Sequence, residues 1–154
     1  MNRDIKTIEI RRLDESDLPT FKLLIDLFNM VFEENQSNIG NDANLSGLLG
    51  NPHFITLAAL AKKEVIGGLT AYELPMYYAD YSEVFVYDLA VKPEYQRMGV
   101  GKKLIWSLKE HCRSKGAREF FVMAHEEDKH AIEFYRSTGG KPERVVNFLY
   151  ETSE

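Results

Sequence analysis

Between Val84 and Leu104 the chain passes from Val-Phe-Val-Tyr-Asp-Leu-Ala-Val through Lys-Pro-Glu-Tyr into Gln-Arg-Met-Gly-Val-Gly-Lys-Lys-Leu. The β-branched and aromatic run 84–91, closed by Pro93, reads as a strand largely buried on both faces. Val100, Leu104, Ile105, Leu108 and Cys112 then recur at helical spacing, so a helix starts near Gly99. A strand, a short glycine loop and a helix N-terminus make an anion-binding arrangement. Backbone N–H groups from Met98 to Lys103 would face a ligand, and the helix dipole would favour negative charge there. A Cβ at Gly99 or Gly101 would hold phosphate oxygens away from that backbone.

Two common phosphate motifs do not fit. A P-loop needs glycine at 96 and Ser or Thr after the lysine, where this chain has Gln96 and Lys103. The dinucleotide fingerprint lacks its third glycine, because position 104 is Leu104. What does fit is Gln-x-x-Gly-x-Gly, Gln96 to Gly101. It resembles the acetyl-CoA pyrophosphate loop of the GNAT superfamily of N-acetyltransferases.

The 154 residues suit one domain, 1–154, with a single sizeable core. A net charge of −5 argues against a nucleic-acid surface and leaves room for a cationic substrate. Cys112 lies on the apolar helix face and reads as core rather than nucleophile. No membrane-length apolar run and no signal peptide are evident, so a cytoplasmic protein is expected. His53, His111, His125 and His130 lack a metal-ligand spacing, and no metal is expected.

Along the chain, 7–12 alternates as a first strand, followed by Asp14 and Ser16 as cap candidates before Pro19. Leu18, Phe21, Leu24, Ile25 and Phe28 mark an amphipathic first helix. The polar stretch 33–44 reads as a loop, in which Glu33 and Glu34 either close over a substrate or are simply disordered. A short helix is expected over 45–49. Strands follow at 54–61 and 65–72 around a Lys62-Lys63-Glu64 turn. Tyr77, Tyr78 and Tyr81 lie in the connection 74–82 and are expected to pack under the sheet rather than stack on a substrate. Trp106 is out of phase with its helix and marks either a dimer contact or, the preferred reading, a secondary core. Gly116 suits a helix C-cap, 119–124 a strand, Asp128 the cap of a helix ending at Gly139 and Gly140, and 144–151 a final strand.

This order of elements gives an α/β (α+β) chain: a mixed, mostly antiparallel sheet with helices on both faces. The resemblance goes further. Phe54-Ile-Thr-Leu-Ala-Ala, Ala71-Tyr-Glu-Leu-Pro, Val86-Tyr-Asp-Leu-Ala-Val and Ala131-x-x-x-Tyr135-x-x-x-Gly139 are similar to aminoglycoside 3-N-acetyltransferases of the gentamicin and fortimicin type. The resemblance implies a GNAT fold whose central strand and its parallel neighbour splay apart to admit acetyl-CoA. It implies that Leu89, Ala90 and Val91 offer backbone to the pantetheine arm. Gln96, Arg97, Met98, Gly99, Val100, Gly101 and Lys102 would hold the pyrophosphate, with Asp128 and Ala131 near the pantetheine. Tyr135 matches a tyrosine that protonates the leaving thiolate, and a homodimer is implied as well.

Asp88 stands in an apolar strand, where an unsatisfied carboxylate is costly. It either binds or deprotonates the substrate ammonium, or bonds to backbone at a strand bulge. Glu73, Asp80, Glu83, Glu126 and Glu127 form an acidic neighbourhood suited to a cationic small-molecule amine, with Glu73, Asp88, His125, Glu126 and Glu127 as the expected substrate contacts, although most acidic residues are simply solvated. His125-Glu126 replaces the Asp-Tyr of the resistance enzymes. An aminoglycoside is the first expected acceptor. A polyamine, another small amine, a peptide N-terminus, or a non-catalytic acyl-CoA sensor are the alternatives.

Overall fold

The computed structural model describes residues 7–33 and 39–153. Its first compact unit, residues 1–123, is a five-stranded sheet with helices on both faces. In chain order it holds β1 (Ile8–Arg12), α1 (Leu18–Val31), α2 (Asp42–Leu49), β2 (Phe54–Ala61), β3 (Glu64–Pro75), β4 (Ser82–Val91), α3 (Val100–Lys115) and β5 (Ala117–Val122). The strands lie in the order β1-β2-β3-β4-β5, antiparallel except for the parallel β4–β5 pair. The expected mixed sheet is therefore present. The second unit, residues 124–154, holds α4 (Lys129–Ser137).

Each face of the sheet has its own core. Val100, Leu104, Leu108 and Cys112 of α3 pack with Ile55, Leu57, Ile66, Leu69, Val84 and Val86. On the other face Leu24, Leu27 and Phe28 of α1 pack with Leu60, Val65 and Ala90. This double cover explains why β2 reads as an unbroken apolar run although its neighbours are antiparallel. Gly68 lets α1 approach: a Cβ there would come within 2.5 Å of Leu24 Cδ1 and 2.6 Å of the Leu57 carbonyl oxygen.

Several expectations are corrected. Helix α2 begins at Asp42 rather than 45, because the Asn41 side chain accepts from the Asn44 N–H at 2.9 Å and caps it. Of the expected loop 33–44, residues 34–38, including Glu34, lie outside the described residues. The turn between β2 and β3 uses Lys62 and Lys63, both in the left-handed region (φ 48° and 71°), so Glu64 already belongs to β3. Strand β5 runs 117–122 rather than 119–124. Residues 144–151 form no strand: they carry no regular secondary structure, and Val145, Val146, Phe148, Leu149 and Tyr150 are 74–84% exposed. Apolar alternation alone does not make a strand without a partner edge.

Candidate active site

Strand β4 is not buried on both faces as expected. Val84, Val86, Ala90 and Val91 are buried, but Tyr87 is 64% exposed. The cause is a bulge. Thr70 pairs with Asp88 while the next β3 residue, Ala71, pairs with Val86, leaving Tyr87 as the extra residue. Ala90 packs on the α1 side and Asp88 lies two positions before it, so Asp88 shares that face, half-buried. Its charge, after burial and Tyr87, helps push the neighbouring Tyr72 phenol above its usual range.

The parallel pairing of β4 with β5 ends at Val86↔Val122. Leu89, Ala90 and Val91 extend past it, still paired with Leu69, Gly68 and Gly67 of β3. Among the described residues the end of β4 is thus flanked by a strand on one side only, the arrangement that the expected splay requires.

Beyond Val91, a short 3₁₀ turn (Pro93–Tyr95) leads into the glycine loop. The Gln96 side chain donates from Nε2 to the Val91 carbonyl at 3.0 Å, tying the loop to the strand end. Arg97 and Gly99 adopt left-handed backbone (φ 60° and 83°), and Gly99 is the N-cap of α3. Among the described residues, a Cβ on Gly99 would meet nothing within 4 Å beyond its own chain neighbours, so the space before the helix is open. The first intrahelical bond runs from the Lys103 N–H to the Gly99 carbonyl at 3.0 Å. That corrects the expected row of donors: Lys103 is spent, while Val100, Gly101 and Lys102 precede the ladder and have no intrahelical acceptor. Met98 is half-buried, and Lys102 places its ammonium 5.4 Å from the Trp106 ring centroid. Trp106 itself is 58% exposed, so it belongs to no secondary core. An open helix N-terminus with Arg97 and Lys102 beside it fits a pyrophosphate.

Glu73 is placed elsewhere. It pairs with Val84, towards the opposite end of β4 from the loop. Its carboxylate accepts from Ser82 Oγ at 2.6 Å and lies 3.7 Å from His53 Nδ1. Tyr77 and Tyr78 are exposed instead of packed under the sheet.

In the second unit, His125, Glu126 and Glu127 are exposed in the turn before α4. The Asp128 side chain accepts from the Ala131 N–H at 3.0 Å, the cap the sequence suggests. Tyr135 is half-buried with its ring 5.1 Å from that of Phe134.

Residues 19–139 match the Acetyltransferase (GNAT) family model. The chain belongs to the GNAT acetyltransferase family. Members of this family use acetyl-CoA, which the loop described above suits. Among solved structures, the GNAT chain is similar to meta-AAC0020, an aminoglycoside acetyltransferase from an uncultured soil metagenomic sample. That protein, in complex with trehalose, is 41% identical over 96% of this chain and 98% of its own, with a TM-score of 0.93. The same enzyme in complex with sisomicin aligns at 40% identity with the same TM-score. HMB0005, an aminoglycoside acetyltransferase from a similar source, is 34% identical over 95% of this chain and 99% of its own, at a TM-score of 0.91. A thialysine N-epsilon-acetyltransferase of Sus scrofa is 31% identical over 71 residues, 43% of this chain. The match spans 42% of that protein's length.

Proposed function

We propose that the protein is an acetyl-CoA-dependent N-acetyltransferase whose acceptor is an aminoglycoside. The observation that carries the reading is the strand–bulge–loop–helix series of 84–102, within a chain similar over nearly its full length to meta-AAC0020 and HMB0005. Acetyl-CoA supplies the acyl group as an activated thioester. On the protein side, the N–H groups of Val100, Gly101 and Lys102, with Arg97 and Lys102 as charge partners, receive the pyrophosphate. The β4 end at Leu89, Ala90 and Val91 offers backbone to the pantetheine arm, and Gln96 keeps the loop closed on that end. Asp128 and Ala131 contribute from the start of α4.

An amine attacks only when neutral, so an ammonium must first be bound and then lose its proton. Asp88, held by the bulge on an otherwise apolar strand, is the carboxylate for that work. Tyr135 is the phenol that returns a proton to the departing thiolate. No covalent enzyme intermediate is needed, and the buried Cys112 supplies no nucleophile: burial first, then Glu73, pushes its thiol up to about 11. His125, Glu126 and Glu127 add carboxylates and an imidazole for further acceptor amines, whereas Glu73 is engaged by Ser82 and His53. The motif resemblance supports the 3-amino group as the acceptor position and a role in antibiotic resistance, in a cytoplasmic enzyme. A homodimer is supported by the exposed apolar segment 145–150. The thialysine enzyme keeps one second reading alive, a small-amine acceptor.

The deciding measurement is thiol release from acetyl-CoA against gentamicin, sisomicin, fortimicin, spermidine, thialysine and short peptides. Turnover selective for the aminoglycosides is expected. Turnover of thialysine or spermidine alone would move the acceptor to small amines, and tight acetyl-CoA binding without release on any acceptor would favour a sensor. Tyr135→Phe should lower kcat at least ~10-fold, within the range general acid catalysis supplies, and leave acetyl-CoA affinity intact.

A further inference from the structure

Where α1 does not cover β3 to β5, four aromatic rings touch in series. Tyr72 meets Tyr87 edge-on at 6.2 Å, Tyr87 meets Phe85 at 5.9 Å, and Phe85 stacks on Phe121 at 5.0 Å with the planes 14° apart. Tyr72 is anchored from behind by Phe54, 5.3 Å away, which in turn packs on Phe21 of α1. The series is a ledge rather than a core, since Tyr72, Tyr87 and Phe121 are all exposed.

Carboxylates stand at both ends. Asp88 adjoins Tyr87 in the chain and pairs with Thr70, two positions before Tyr72. At the other end Glu83 and Glu119 are direct register partners. Each lies two positions before a ring of the stacked pair Phe85–Phe121, hence on the same face. Like charges set opposite each other cost stability, and a bound cation relieves that cost.

We propose that this ledge seats the acceptor, with the ring faces and ammonium groups of a polycationic amino sugar lying on Tyr72, Phe85, Tyr87 and Phe121 between the two acidic ends. The inference rests on the aminoglycoside reading above and names the surface that selects for it. The β3 register partners of Glu83 and Asp88, Leu74 and Thr70, are four residues apart. At about 3.3 Å per residue, Glu83 and Asp88 therefore stand roughly 13 Å apart along β4. Linked amino-sugar rings bridge that span and use both ends, with aromatic faces attracting the ammonium groups between. A one-ring amine reaches one end only.

The test is Tyr87→Ala, with Tyr87→Phe as the ring-retaining variant and Tyr77→Ala as an exposed aromatic off the ledge. Kinetics with gentamicin and acetyl-CoA, calorimetric gentamicin binding and thermal melting would be measured for each. Removal of the ring should raise the gentamicin KM about 5- to 30-fold, the reach of one or two desolvated cation–π contacts. The acetyl-CoA KM and the melting temperature should hold. Tyr87→Phe should recover most of the loss, and Tyr77→Ala should match the wild type. An unchanged gentamicin KM and affinity in Tyr87→Ala, with the wild type active on gentamicin, would overturn the ledge alone. A wild type that neither binds nor acetylates gentamicin would overturn the acceptor reading, and the ledge with it.

Discussion

Gly99 carries two separable burdens. Its φ of 83° is a conformation that L side chains pay for, and its missing Cβ leaves open the space before α3. Gly99→Val should therefore cost about 1–2 kcal/mol of stability through backbone strain, its Cβ lying in open space. It should also abolish acetyl-CoA binding by filling the approach to the helix N-terminus. Melting curves and calorimetry read the two effects independently, and undiminished acetyl-CoA affinity would remove the loop from the cofactor site. Arg97 shows how the sequence conceals such strain: it takes φ 60° without being glycine, and no motif marked it as more than a charge. Tyr87 was hidden for a similar reason. In a run of apolar and aromatic residues nothing signals which one a bulge will turn outward, because the bulge is fixed by pairing with β3.

Among the elements, helices were legible wherever cap and periodicity agreed. Helix α3 starts beside Gly99 and ends at Gly116, which adopts φ 75° and donates its N–H back to Arg113 and Cys112. The amphipathic face named from spacing is the one that packs: Val100, Leu104, Ile105, Leu108 and Cys112 are all buried. Strand limits were less legible, since they depend on partners; β3 runs on to Pro75 because β4 begins early, at Ser82. The segment 144–151 shows the same dependence in reverse. Its apolar alternation is strand-like, yet Val145, Val146, Phe148, Leu149 and Tyr150 stay exposed. If that segment is the contact of the proposed homodimer, light scattering should return a dimer for the wild type. Val146→Asp combined with Phe148→Asp should then return a monomer at low micromolar concentration. A wild-type monomer, or a dimer indifferent to both charges, would detach the segment from assembly.

Across the first unit as a whole, two titrations on α3 bound the stable pH range. His111 is held below its ordinary value, first by burial and then by Arg12 and Lys115, with Glu73 opposing. A depressed histidine binds its proton more weakly in the native state than unfolded. Its contribution is therefore complete above the unfolded value near 6.5 and is lost as pH falls below it. Cys112 acts at the other end: with its thiol at about 11 against 9.0 unfolded, stability is complete below 9 and declines as pH rises beyond it. Urea midpoints should be flat between about pH 7 and 9 and fall on either side. Because His111 is only half-buried, its slope should stay well under about 1.4 kcal/mol per pH unit. His111→Gln should flatten the acid limb, and an unchanged limb would assign it to other groups.

By itself the sequence determined the character of the protein. Period-2 and period-3.6 patterning set the elements, and Gln96, Gly99 and Gly101 after an apolar strand set an anion loop at a helix start. Those signals are local, and local backbone geometry follows from residue type. Only the tertiary structure decided that Asp88 lies on a bulge opposite Thr70, that Glu73 is drawn to Ser82 and His53, and that four rings line up beside Asp88. Each of those facts depends on register between strands far apart in the chain, and register is fixed by the packing of whole faces rather than by any one residue.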